Sequence, residues 1–128
     1  MDIVKEIMNL ANSEVNQAKF VKAVRRTMRW PQWKLADHLL TYQCYISRFE
    51  RCVLKNSGEW DRIWFNLGCE LNDICSEMDD GAIIFGMSIV LNYIDEGVEG
   101  GDRDRSINLL MKMSKRIARE WTYDICGE

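Results

Sequence analysis

KLADHLLTYQCYISRFER, residues 34–51, carries two apolar patterns of helical period separated by a short polar break at Thr41-Tyr42. In the first half Leu35 and Leu39 stand four apart and share a face, with Ala36 beside them, where a small side chain lets crossing helix axes approach. In the second half Ile46, Phe49 and Val53 fall at i, i+3 and i+7 and are expected to point inward together. Positions two away from Ile46 are turned about 200° from it at roughly 3.6 residues per turn. Cys44 and Arg48 therefore face outward, flanked by Ser47 and Arg51, with Gln43 on the exposed first turn. The expected helices, 31–39 and 43–52, are joined by residues 40–42 alone. A link so short forces a steep crossing, as in a helix-turn-helix.

Outward from this stretch, almost every segment keeps a helical rather than a strand period. Residues 2–11 place Ile3, Ile7 and Leu10 on one side. Ser13 is suited to cap a second helix in which Val15, Ala18, Val21 and Val24 recur. The boundary at Trp30-Pro31 follows from proline, which keeps its predecessor out of the helical region and is welcome at a helix start. Lys55 to Gly58 reads as a loop, followed by one or two helices with an apolar stripe of Trp60, Ile63, Trp64, Leu67 and Leu71. Residues 79–94 are apolar around much of their circumference, which predicts a buried helix. A glycine-rich surface loop is expected over 95–105. A last helix, 106–123, would present Ile107, Leu110, Met111, Ile117 and Trp121. The expected fold is all-α, with six or seven helices in a single domain over 1–128.

Within 128 residues there is room for one domain with a real core and not for two comfortable ones. The net charge is only -3, but its signs are segregated. Between Gln17 and Lys55 nine bases face two acids, a net +7, whereas residues 77–128 carry a net -5. That division suits a polyanion-facing front and an acidic back. Asp2, Lys5 and Glu6 interrupt any secretory segment, and the apolar run 82–91 falls short of a membrane span, so a cytoplasmic protein without membrane contact is expected.

The five cysteines form no C-x-x-C pair and His38 is the only histidine. Reduced thiols acting as small hydrophobes are expected, with no metal and no cofactor. Asp102, Asp104 and Ser106 imitate the start of a calcium loop, but Ile107 stands where glycine is needed and Met113 where a glutamate is required. One histidine, no phosphate loop and no nucleophile–base pattern predict that the chain is not an enzyme.

Gln32, Leu35-Ala36 and YQCYISRFE (residues 42–50) together resemble the Cro/lambda-repressor (XRE-like) helix-turn-helix family, which the run 23–73 matches over about 50 residues. FNLGCELN (residues 65–72) resembles the later helix of that family. Three positions depart from the pattern: Leu40 and Cys52 stand where the family has glycine, and Pro31 replaces a Thr or Ser cap. A left-handed backbone at Leu40 would cost about 1–2 kcal/mol, so a differently drawn turn is expected.

The resemblance implies a helix-turn-helix core over 13–76, with region 79–128 left for dimerisation or a partner. It implies that Gln32 donates to a phosphate from a helix N-terminus and that Tyr42 touches the backbone nearby. Gln43, Cys44, Ser47 and Arg48 would face base edges of double-stranded DNA, with Arg51 and Lys55 close by. Lys55, Arg25, Arg26 and Arg29 could add phosphate contacts. The leading expectation is a homodimeric transcriptional regulator, a repressor of phage or bacterial type, with helix 43–52 in the major groove. An antitoxin with the same DNA domain is the first alternative. The second is a degenerate helix-turn-helix that binds and inhibits another protein.

Overall fold

The computed structural model describes residues 2–126 and the side chains of residues 2–120. Trp121 and Cys126, assigned above to the last apolar stripe and to the thiol set, lie outside the described side chains. Among the described residues there are seven helices and no strand: α1 (Ile3–Met8), α2 (Glu14–Met28), α3 (Gln32–His38), α4 (Gln43–Glu50), α5 (Ser57–Met78), α6 (Gly81–Asp95) and α7 (Gly101–Cys126).

Local chemistry sets the starts of these helices. The side chains of Asp2, Ser13 and Asn56 accept from the amides of Lys5, Asn16 and Glu59, each satisfying one orphan donor of a first turn. Pro31 opens α3 with extended geometry.

Three of the helix ends share one device. Arg29, Leu40 and Cys52 all have left-handed backbones, at φ 58°, 57° and 58°. After each, the next amide reaches back over the last turn: Trp30 N to Arg25 O, Thr41 N to Ala36 O and Val53 N to Arg48 O, at 3.1, 3.0 and 2.9 Å. These are Schellman stops made without glycine. Leu40 thus adopts the conformation that its side chain disfavours, and the differently drawn turn expected from sequence is corrected. Cys52 does the same, so α4 ends at Glu50 rather than at residue 52, and Val53 turns outward instead of joining the inward row.

The core is a single cluster centred on α2, α5 and α6. Phe20 of α2 is fully buried and meets Trp64 of α5 and Tyr93 of α6 edge-on, both at 5.5 Å. Such T-shaped contacts place the positive ring edge on a negative face. Phe49 of α4 stacks on Trp60 of α5 at 3.8 Å, which fixes α4 to the same core. Leu35, Ala36, Leu39, Ile46 and Phe49 are all buried, as are Trp60, Ile63, Leu67 and Leu71 along α5.

α6 and the described part of α7 are built into this core. α6 packs most extensively on α2 and then on α7, while α1 packs against both α5 and α6. The helix at 79–94 is buried on one side only: Ile83, Gly86, Ile89, Val90 and Tyr93 face in, whereas Ile84 and Leu91 are exposed.

α7 begins at Gly101, five residues earlier than the spacing of apolar residues suggested. Its start is held by Asp102, which is buried and accepts from the amide and side chain of Asn12, both at 3.0 Å, and from Asn16 Nδ2 at 2.7 Å. The inward row of α7 is then Asp102, Ser106 and Met113, with Ile107 and Met111 exposed rather than inward. Polar anchors at 102 and 106 hid this face from a search for apolar periodicity.

Candidate nucleic-acid interface

α4 is eight residues long and packs on α3, with its inward side defined by Ile46 and Phe49. Its other side brings together five of the residues expected from sequence. Gln43, Cys44, Arg48 and Arg51 are exposed and Ser47 is half-buried. Tyr42, the residue that precedes the helix, is 72% exposed and sets its ring edge-on to Tyr45 at 5.9 Å. The guanidinium of Arg51 donates to Ser47 O at 3.3 Å, which draws it along the helix. Lys55 is exposed in the loop that follows and lines a half-open cavity of about 350 Å³ with Glu14, Cys52, Trp60 and Asp61.

Gln32 is placed differently. It is half-buried on the first turn of α3, and its Nε2 donates to Glu50 Oε1 at 3.4 Å. Glu50 in turn accepts a two-pronged pair from Arg25 of α2, with Nε–Oε2 at 2.8 Å and Nη2–Oε1 at 2.9 Å. The bond to Glu50 holds the Arg25 guanidinium above its ordinary pKa, outweighing burial, which acts to lower it. Only 4% of the Glu50 side chain is exposed, so the one carboxylate of α4 is turned inward and neutralised. This leaves the outward side of α4 with Arg48 and Arg51 and no acid.

The basic run of α2 belongs elsewhere. Lys19 pairs with Glu99 at 3.5 Å and donates to Gly97 O at 2.7 Å, and Lys22 pairs with Glu96 at 3.5 Å. Arg26 pairs with Glu96 and, at 3.1 Å, with Asp95; bonds to these two, Glu96 first, raise its pKa. The corner between α6 and α7 folds over α2 and carries these acids to bases some 70 residues away in sequence. Arg25 and Arg26, expected among the phosphate contacts, are thus committed within the protein. Arg29, Lys34, Arg48, Arg51 and Lys55 remain without an ion pair among the described residues, and Lys34 lies 5.5 Å over the Trp30 ring.

His38, on the exposed side of α3, is held on one ring face and at one ring nitrogen. It stacks on Trp30 at 4.1 Å, and its Nδ1 lies 2.8 Å from Glu70 Oε1. The thiols divide into two classes. Cys44 and Cys69 are exposed rather than core-filling, whereas Cys52 and Cys75 are half-buried. Burial pushes both of the latter thiols above the ordinary range, with Glu14 adding to the effect at Cys52 and Asp2 at Cys75.

Sequence reasoning missed one set of residues that bears on α4. Glu59, Arg62 and Asn66 of α5 bond to the turn between α3 and α4. Their i, i+3, i+7 spacing on the helix was the available signal, but polar residues on a helix face ordinarily mark solvent.

Among the described residues, no group of three or more His, Cys, Asp or Glu side chains could hold a metal ion, and no helix is long and apolar enough to cross a membrane. No protein-family model matches the chain, and no similar curated protein or solved structure was found.

Proposed function

We propose that the protein is a sequence-specific DNA-binding transcriptional regulator, with α3 and α4 acting as a helix-turn-helix of the Cro type and α4 entering the major groove. The observation that carries this reading is the outward side of α4: Gln43, Cys44 and Arg48 exposed in a row beside Arg51, with Glu50 turned away. Gln can pair bidentately with adenine and Arg with guanine, each contributing roughly 1–3 kcal/mol of discrimination. Tyr42 and Lys55 flank the row and serve the phosphates. Gln32, bonded to Glu50, braces α3 against α4 and offers the phosphate only what that bond leaves free.

A single recognition helix reads few base pairs, so the reading includes a homodimer with two copies of α4 about 34 Å apart. The exposed Ile84 and Leu91 of α6 and Ile107 and Met111 of α7 are apolar surface that a second copy would cover. Repression is the simplest outcome for such a small protein, since occupying a promoter is enough.

The test is a titration of the full chain against duplex from its own upstream region at several salt concentrations, with Arg48→Ala and Gln43→Ala in parallel. Specific binding weakens with salt, and the two variants lose sequence preference. No binding at low salt would overturn the reading.

A second reading, a module that docks on another protein, is favoured by a different observation. The ion pairs of Lys19, Lys22, Arg25 and Arg26 remove four of the nine bases from the front half's available charge. Co-purification of a stoichiometric partner by a chain that ignores DNA would support it.

A further inference from the structure

We propose that Glu59, Arg62 and Asn66 are positioning residues for α4: they hold the turn between α3 and α4 in the left-handed form and so set the angle at which Gln43, Cys44, Ser47 and Arg48 are presented. The inference rests on the DNA-binding reading above and extends it to a helix that does not itself carry the recognition row.

The turn comprises residues 39–42, and α5 grips three of the four. Asn66 Nδ2 donates to Leu39 O at 2.9 Å and Arg62 Nη2 donates to Leu40 O at 2.7 Å. The Thr41 hydroxyl donates to Glu59 Oε1 at 2.6 Å. Glu59 Oε2 and Arg62 Nη1 lie 3.9 Å apart, which closes a ring from Leu40 through Arg62 and Glu59 back to Thr41. The three side chains share one face of α5, one turn and then another along the helix.

Such a grip has work to do at this position. Leu40 is left-handed, and its side chain is 70% exposed, so burial of the leucine does not hold the conformation. Cys52 ends α4 with the same backbone, yet among the described residues no side chain bonds to the carbonyls of residues 51–53. The grip belongs to the end of α4 that leads into the recognition row. Base readout tolerates displacements of only about 0.5 Å, and a turn free to relax at Leu40 would exceed that.

The test uses the full chain with Arg62→Ala, Asn66→Ala and the double variant, each also made with Leu40→Gly, and Arg62→Lys as the charge-conserving control. Amide hydrogen exchange at Thr41, whose N–H bonds Ala36 O at 3.0 Å, reads the turn without DNA. Titrations against the upstream duplex and a scrambled duplex read presentation. The double variant is expected to speed exchange at Thr41 by about tenfold while leaving Ile63 and Phe20 unchanged. It should weaken the upstream duplex by about tenfold and the scrambled one by under about twofold. Leu40→Gly, which needs no grip to adopt the left-handed form, should restore most of both effects.

Unchanged exchange at Thr41 overturns the proposal. So does equal weakening on both duplexes that Arg62→Lys restores and Leu40→Gly does not, because that pattern makes Arg62 a phosphate contact. If the wild-type chain binds neither duplex, the DNA reading and the presentation role fall together. Exchange at Thr41 then still decides whether α5 holds the turn.

Discussion

Arg25 and Glu50 lock the end of α4 to α2 through two parallel hydrogen bonds of 2.8 and 2.9 Å, with the Glu50 side chain almost wholly out of water. The pair removes the only carboxylate of α4 from its outward side and fixes the helix end that precedes the left-handed Cys52. One contact therefore serves both the packing of α4 and the electrostatics of the surface it presents.

Breaking that pair from one side leaves a desolvated charge. Arg25→Ala, which strands the 4%-exposed Glu50 carboxylate, is expected to lower stability by about 3 kcal/mol, the cost typical of an orphaned buried partner. Replacing both, as Arg25→Met with Glu50→Leu, should recover most of that stability. Urea unfolding of the two variants and the wild type measures the difference, and equal destabilisation of the single and double variants would contradict the account.

The ion pairs on α2 separate structural bases from those available to a polyanion. If α4 meets DNA, Lys55→Ala should lower the slope of log affinity against log salt by about 1, as loss of a phosphate contact does, whereas Arg48→Ala should relax base preference. Lys22→Ala should leave the slope unchanged, because its ammonium already faces Glu96 at 3.5 Å. A shift with Lys22→Ala as large as with Lys55→Ala would place α2 on the DNA as well.

Thiol chemistry offers a readout of the same surface. At about pH 8 an alkylating reagent should label Cys44 and Cys69 first, since both are exposed. Cys52 and Cys75 should lag, because a raised thiol pKa leaves less thiolate, and they should catch up only as the pH rises beyond the ordinary thiol range. Specific duplex should slow labelling at Cys44 and not at Cys69, as followed by peptide mass spectrometry.

Gly86 sits where α6 meets α1 and α7 closely. A methyl group there would lie 2.7 Å from Ile3 Cγ2 and 3.0 Å from Met113 Cε, so α1 and α7 would both have to yield. Gly86→Ala is therefore expected to destabilise by about 1–3 kcal/mol despite alanine's better helix propensity. Thermal unfolding decides the sign.

The left-handed stops predict the opposite effect at Leu40. With the backbone already at φ 57°, Leu40→Gly should stabilise the chain, by at most about 1 kcal/mol because glycine also loosens the unfolded state. A lower urea midpoint for this variant would show that the exposed leucine contributes packing that its 70% exposure conceals.

Local signals were enough to read most of the helices and both faces of the central pair. Helical period placed Leu35, Ala36, Leu39, Ile46 and Phe49 inside and Gln43, Cys44 and Arg48 outside. Ser13 and Pro31 marked helix starts through chemistry that acts within a few residues. These features depend on backbone geometry repeating every turn, which a linear pattern records directly. What the tertiary structure decided depends on partners far apart in sequence. The bases of α2 were legible as charge, but not the acids at 95–99 that neutralise Lys19, Lys22 and Arg26. Asp102 looked like a loop residue until Asn12 and Asn16 met it. Leu40 looked incompatible with a left-handed turn because a sequence pattern weighs only the residue's own steric cost. The hydrogen bonds from Arg62 and Asn66 that hold the turn exist only once α5 has packed beside it.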